Sequence, residues 1–378
     1  MINLAFMGCS PNNKDQLKTY YPSGGSWESK LPQEVGIDPD KLSEAIEFAL
    51  NNESPAPRDL KKYIYSRFSE HAYDSIIGPM KERGDMSGIA IKNGYVIHEF
   101  GPTDRVDMTF SVTKSFLSTV GGLALDDSLI QNIEEPVNLY VTDGKFDGPQ
   151  NSGITWKNLF QQTSEWEGTL FDKPDVADRR KGKERQLQTP GTFWEYNDVR
   201  VNLASYSLLQ VWKRPLPEVL KERIMNPIGA TDTWEWHGYD NSDVEVDGRM
   251  IKSVSGGGHW GGGMWICTWD QARFGYLFLR EGNWNGTQLI SKEWIEAALT
   301  PSKPEPTYGY MWWMNTDGGI WSEAPHDSFA AIGGGRNVIW IWPKHDFMVV
   351  IRWIDPAKTG QFLGMMADAV ENIEDRNL

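Results

Sequence analysis

The run Phe110-Ser111-Val112-Thr113-Lys114-Ser115-Phe116 constrains this chain more than any other stretch. It continues through Leu117, Val120, Leu123 and Ala124, apolar at helical period, so the spacing predicts a helix. A helix apolar on several sides belongs at the centre of its domain. Gly121 and Gly122 would let another element approach its backbone closely. Ser111 and Lys114 stand three apart, and in a helix residues i and i+3 share a face. The fold that buries this helix therefore sets a hydroxyl beside an amine.

Ser111 would lie at the helix N-terminus, where free backbone N–H groups favour negative charge. A serine hydroxyl is a weak nucleophile until a base takes its proton. Lys114 can be that base only when neutral. A free lysine has a pKa of about 10.4, so work near pH 7 needs a depression of about three units, or about 4 kcal/mol, from burial or nearby positive charge. The bland alternative for Ser-x-x-Lys is a capping serine with an exposed lysine. The apolar and aromatic neighbours argue against an exposed first turn, and partner motifs downstream decide the matter.

With 378 residues the chain can hold two domains, or one large domain with an insertion. Its net charge of −15 argues against nucleic acid and against an anionic membrane surface as partners. The two cysteines, Cys9 and Cys267, support neither a metal pattern nor a disulfide framework. Met1 to Cys9 is a short apolar segment ending in Gly-Cys, followed by the polar Ser10-Pro11-Asn12-Asn13. This is similar to the tail of a bacterial lipoprotein signal, although it lacks the basic region and is short. It points to a periplasmic protein or one lipid-anchored at Cys9; the alternative is a cytoplasmic chain.

Residues 1–35 read as leader or linker, polar and rich in Ser, Gly and Pro after Cys9. Asp38 to Asn51 reads as an amphipathic helix with Asp38 as cap and Pro39 in the first turn. Ser87 to Phe100 reads as a hairpin turning at Asn93-Gly94. Trp156–Gln162, Val199–Trp212, Leu216–Met225, Asp270–Arg280 and Lys292–Leu299 read as helices. Strand-like runs follow at Tyr308–Met314, Asn337–Trp342 and Phe347–Trp353, then a last helix from about Gly360 to Asn372. Residues 130 to 250 show no convincing strand. The expected organisation is an α/β domain from 36–130 and 255–378, interrupted by a helical domain at 131–254. A site would lie in the cleft between them.

Three further motifs can serve Ser111. Tyr196-Asn197-Asp198 stands at a helix entrance. Asp198 can cap that helix, while Tyr196 can shuttle protons and Asp198 can hold the Ser111–Lys114 pair. Ser328-Phe329-Ala330-Ala331-Ile332-Gly333-Gly334-Gly335-Arg336-Asn337 runs into a strand, and its three glycines permit close backbone approach. A backbone N–H there, with that of Ser111, could form an oxyanion hole; one such donor is worth about 2.7–4 kcal/mol. Gly256-Gly257-Gly258-His259-Trp260-Gly261 lacks the Lys of a phosphate loop, so its glycines are read as letting elements cross. His259 and Trp260 are then cleft-lining residues, with a structural role for His259. No Gly-x-Ser-x-Gly elbow or His-Glu-x-x-His occurs.

Together, Ser111-x-x-Lys114, Tyr196-Asn197-Asp198 and the Gly-rich strand start near Gly333 resemble the three motifs of serine β-lactamase-like hydrolases. The resemblance is to the class C β-lactamase-related branch, with its carboxylesterases, D-aminopeptidase-like enzymes and 6-aminohexanoate-dimer hydrolases. It spans about residues 38 to 375. It implies an antiparallel sheet flanked by helices plus an inserted all-helical domain. It further implies that Ser111 is acylated, that Lys114 is its base and that Tyr196 assists proton transfer. The oxyanion hole would comprise the N–H groups of Ser111 and Gly334, beside Ile332 and Gly333. Asp198 stands where the family usually has Asn. Ala331 stands where many relatives have a cation that holds the β-lactam carboxylate. The resemblance therefore favours hydrolysis of a small ester or amide over a lactam, with no metal or organic cofactor. The alternatives are a β-lactamase or D,D-peptidase, and a catalytically silent ligand-binding homologue.

Overall fold

Three apolar runs become neighbouring strands of one antiparallel sheet in the computed structural model, which describes residues 19–68 and 73–370. β1 (Ser87–Lys92) and β2 (Tyr95–Phe100) form the expected hairpin, with the left-handed Asn93 and Gly94 at its turn. Across the sheet the order is Trp313–Met314, Phe329–Gly333, Asn337–Trp342, Phe347–Arg352, β1, β2. Central strands are buried on both faces, so they read as continuous apolar runs. Side chains nevertheless divide with period two. Ile89, Ile91, Ile339, Ile341, Met348 and Val350 face one core. Ala90, Val338, Trp340, Val349 and Ile351 face the other.

The second core is closed by α1 (Pro39–Leu50) and the helix Thr359–Asp368, so the two ends of the domain meet on one face. Asp38 caps α1 as expected, its Oδ1 accepting from the N–H groups of Asp40 and Lys41. On the opposite face lies α3 (Thr113–Asp126), buried on nearly every side, against the helix Thr268–Leu279. Phe116 of α3 stacks on Phe274, with ring centroids 3.8 Å apart. Gly121 and Gly122 serve as expected: Phe160 and Trp294 pack where a Cβ would sit.

Several expectations are corrected. Residues 19–31, read as leader or linker, dock on the body of the protein. Arg273 donates to the carbonyls of Ser23 and Ser26, and Trp27 donates to Gly94 O at 2.7 Å. Cys9 lies outside the described residues. Residues 235–254 are not helical. Glu235–Val246 and Arg249–Val254 form a hairpin that turns at Asp247-Gly248, both left-handed. Its alternating charges reflect one exposed face, which obscures the strand pattern. The run Tyr308–Met314 is a strand only at Trp313–Met314, because Met311 is left-handed with φ +62°. No helix among the described residues is long and apolar enough to cross a membrane.

The glycine pair of α3 makes a direct prediction. A Cβ at Gly121 would lie 2.2 Å from Phe160. Gly121→Val is therefore expected to destabilise the protein by about 1–3 kcal/mol through overpacking, despite the poor helix propensity of glycine. Urea denaturation of the variant beside wild type measures this; equal midpoints would show that Phe160 yields freely.

Candidate active site

Ser111 sits on a single 3₁₀ turn, Phe110–Val112, that leads directly into α3. The preceding Phe110 is left-handed, with φ +49°, a costly conformation for a large side chain. Ring contacts hold it there: Tyr63 from α2 (Leu60–Phe68) lies edge-on at 5.7 Å and Trp353 at 6.4 Å. Thr113 Oγ1 donates to Phe110 O and accepts the N–H of Met264, tying the turn to the strand Gly263–Ile266.

The helical spacing then does what the sequence implies. Lys114 Nζ donates to Ser111 Oγ at 2.9 Å. The amine is buried at 1 % exposure. Its second partner is the equally buried Asp198, 2.6 Å away. The expected capping role of Asp198 is corrected: Asn197 caps the helix Asp198–Trp212, its side chain accepting from Arg200 N. That leaves the Asp198 carboxylate free to turn inward onto Lys114.

The electrostatics oppose the simple lysine-base expectation. Burial works against the Lys114 charge, but the Asp198 carboxylate and the Tyr196 hydroxyl more than offset it. The lysine pKa is therefore raised, where a base near neutrality needs it lowered. The Asp198 carboxyl is held well below the usual carboxylate range. Burial pushes it up, and Lys114, His259 and Arg180 together outweigh that. At neutral pH the resting site is an ammonium–carboxylate pair.

Gly257 makes room for this pair. A Cβ there would lie 1.8 Å from Asp198 Oδ1 and 2.3 Å from Lys114 Nζ. Beyond it, the second carboxylate oxygen of Asp198 meets Arg180 at 3.2 Å and His259 Nδ1 at 3.5 Å. Asp178 accepts the N–H of Asp198 at 2.7 Å and both nitrogens of the Arg180 fork. The ligand atoms of Asp178, Asp198 and His259 come within 4.8 Å of one another. Their carboxylate oxygens receive these donors, which joins the trio to the Lys114 and Arg180 ion pairs.

Tyr196 lies between two cations: Lys114 Nζ is 4.7 Å, and the Arg180 guanidinium carbon 4.6 Å, from its ring centroid. Its other ring contacts are Trp313, stacked at 5.7 Å, Tyr308 and Trp194. The strand Phe329–Gly333 ends against the nucleophile turn, where a Cβ on Gly333 would lie 2.1 Å from Thr109 O and 3.2 Å from Ser111 N. A cleft of about 500 Å³ opens over these groups. Ser111, Tyr196, Asp198, His259, Ile332, Gly333 and Gly334 all line it.

Trp260, expected to line the cleft, instead turns into the core at 1 % exposure. Its carbonyl accepts the N–H groups of Ile77 and Gly78, and its ring lies under Lys173. Ala331 is buried in the core and offers no cation to the cleft. Sequence reasoning missed Asp178, Arg180, Trp313 and Arg336. The charged run Asp178-Arg179-Arg180-Lys181 was the visible signal for the first two. Their loop is fastened by Arg185, which bridges the fully buried Glu165 and Glu195 at 2.5–2.7 Å.

Motif order, sheet and cleft place the chain in one class, and comparison with known proteins agrees. It belongs to the β-lactamase family, whose model matches residues 93–353. An uncharacterized protein of Alkalihalophilus pseudofirmus is 24% identical over 256 residues, covering 64% of this chain and 71% of that protein. Among solved structures, a candidate 6-aminohexanoate-dimer hydrolase from Bacillus anthracis is similar with a TM-score of 0.59 at 14% identity, over 93% of this chain and 88% of its own. A penicillin-binding protein homologue from Caulobacter crescentus has a TM-score of 0.58 at 15% identity, over 89% and 99%. A β-lactamase from Mycobacterium bovis has a TM-score of 0.55 at 17% identity, over 75% and 95%. At such identities the structural likeness concerns the fold.

The contact at Gly257 generates the prediction here. Gly257→Ala must part Lys114 from Asp198 or displace its own strand connection, and breaking one side of a buried pair costs about 3–5 kcal/mol. Chemical denaturation should show a loss of that order. A variant as stable as wild type would mean that the pair has room to move.

Proposed function

We propose that this β-lactamase-family, serine-hydrolase-like protein cleaves an ester or amide of a small acyl substrate through an acyl-enzyme on Ser111. The observation that carries the reading is the Lys114–Ser111 hydrogen bond at the floor of the cleft. In this proposal Ser111 Oγ attacks the carbonyl carbon as its proton passes to neutral Lys114. The N–H groups of Ser111 and Gly334 receive the negative charge that develops on the carbonyl oxygen. The bond to the leaving group breaks as Tyr196 delivers a proton to it from Lys114. Water then adds to the acyl carbon by the same proton route, the ester bond to Ser111 breaks, and the free acid departs. The inward-facing Ala331 supports ester or amide substrates ahead of lactams.

The raised Lys114 pKa shapes this chemistry. The resting lysine carries a proton, and only the fraction that has lost it can act as base. Below the folded pKa that fraction grows with pH, so kcat/KM should climb about tenfold per pH unit. Removing the Asp198 charge lowers the lysine pKa, and an opposite charge at this distance is worth about 1–3 units. Asp198→Asn is therefore expected to move the pH–rate limb toward neutrality by at least about one unit. A limb that stays in place in this variant would remove Lys114 as the titrating base.

A fluorophosphonate tests the nucleophile. Intact-protein mass should show one adduct on wild type and none on Ser111→Ala, and ester turnover should fall by at least about 10³-fold in that variant. An ion-paired Lys114 is also what a silent ligand-binding homologue would hold. No adduct across pH 7–10 on folded wild type would favour that reading.

A further inference from the structure

Arg180 reaches the cleft from outside both the Ser111–Lys114 helix and the Gly-rich strand. It follows the 3₁₀ turn Asp175–Asp178. Its Nε and Nη2 donate to the two oxygens of Asp178 at 2.9 and 3.0 Å, and Nη2 also lies 3.2 Å from Asp198 Oδ2. One guanidinium therefore bridges two carboxylates, and the second of these is the partner of Lys114. The backbone beneath it is fixed. One oxygen of the fully buried Glu195 accepts the N–H groups of Arg180 and Lys181 at 2.8 and 2.9 Å, while Arg185 holds the other oxygen. The half-buried head of Arg180 lines the cleft over the Tyr196 ring.

Asp198 is held from both ends. Oδ1 faces Lys114, and Oδ2 faces Arg180, with His259 Nδ1 at 3.5 Å. A carboxylate shared between two cations attracts each of them less strongly, because either cation reduces the negative potential felt by the other. Without Arg180, the buried carboxylates of Asp178 and Asp198 would face one ammonium and one imidazole. Lys114 would then hold its proton more tightly, and the acyl transfer from substrate to Ser111 needs that proton to leave.

We propose that Arg180 is a positioning residue for the Ser111 reaction: it fixes the far oxygen of Asp198 and shares that charge with Lys114, so that the lysine can act as base. The inference rests on the hydrolase reading above and adds to it a residue outside the three sequence motifs. Burial works against the Arg180 charge, but Asp178 and Asp198 more than offset it, so the guanidinium stays a reliable cation. Its planar fork reaches three oxygens at once, which a lysine cannot do, although a lysine would keep the charge.

A double-mutant cycle separates this role from simple support of the loop. It measures kcat/KM for 4-nitrophenyl acetate across pH 6–10 in wild type, Arg180→Gln, Asp198→Asn and the double variant, each confirmed folded by its urea midpoint. Arg180→Ala replaces the glutamine variant should that one not fold. In the wild-type background the loss should be about tenfold, the effect of one pKa unit on the fraction of neutral lysine. In the Asp198→Asn background the same change should cost less than about threefold and leave the pH–rate limb in place, because the shared charge is gone. Arg180→Lys should recover most of the loss. Equal losses in both backgrounds, no loss in the wild-type background, or an Arg180→Lys as impaired as Arg180→Gln overturns the proposal. Any of these on an active wild type sinks this inference alone. A wild type that cleaves no ester and takes no fluorophosphonate adduct sinks the hydrolase reading, and this inference falls with it.

Discussion

The buried contact between Lys114 and Asp198 is the interaction around which this protein is arranged. Two charges removed from water are tolerable only when paired and further hydrogen-bonded. Each surrounding feature meets part of that demand. Ser111 accepts one bond from the ammonium, and Arg180 and His259 approach the far carboxylate oxygen. Gly257 keeps its backbone free of a side chain where the two charges meet. Asn197 takes over the helix cap, which releases Asp198 for the interior.

The same pair separates two demands that one residue often has to meet together. An anchor for the helix entrance wants a strong ion pair. A proton acceptor wants a neutral amine. With Asp at position 198 the balance moves toward the anchor, and the lysine pKa rises instead of falling. For the stability of the fold, the sign is definite. A raised lysine pKa stabilises the folded state fully below the ordinary lysine value of 10.5, and that contribution is lost as pH rises through the folded value. The depressed Asp198 contributes above the ordinary carboxylate value of 3.8, and its share is lost only as pH falls to the folded value. Stability from the pair is therefore retained over the whole neutral range.

Around this centre the cleft has two electrostatic characters. One side is a closed network, in which Asp178, Arg180, Asp198 and Lys114 satisfy one another, and Arg185 clamps the loop onto Glu165 and Glu195. The other side is open-handed: Arg336 and Arg67 present guanidinium groups without carboxylate partners among the described residues. The first side holds its geometry through paired charges.

Much of the architecture was legible because periodic signals are local. The Asn93-Gly94 hairpin, the Asp38 cap, the last two sheet strands and the apolar run from Ser111 follow from spacing and turn chemistry alone. So did the pairing of Ser111 with Lys114, since three residues of helix set that distance. Local patterns failed where burial or long-range contact took over. The Asp247-Gly248 hairpin carried charges on its exposed face, and the segment 19–31 looked like a linker until Arg273 and Gly94 bound it. Trp260 looked like a cleft residue until the surrounding core accepted it. Sequence by itself determined which groups could react and which helix would carry them. Only the tertiary structure decided the charge state of Lys114, the inward turn of Asp198 and the lack of a carboxylate partner for Arg336 among the described residues. Those depend on residues separated by many tens of positions in the chain, and electrostatic energy follows distance in space.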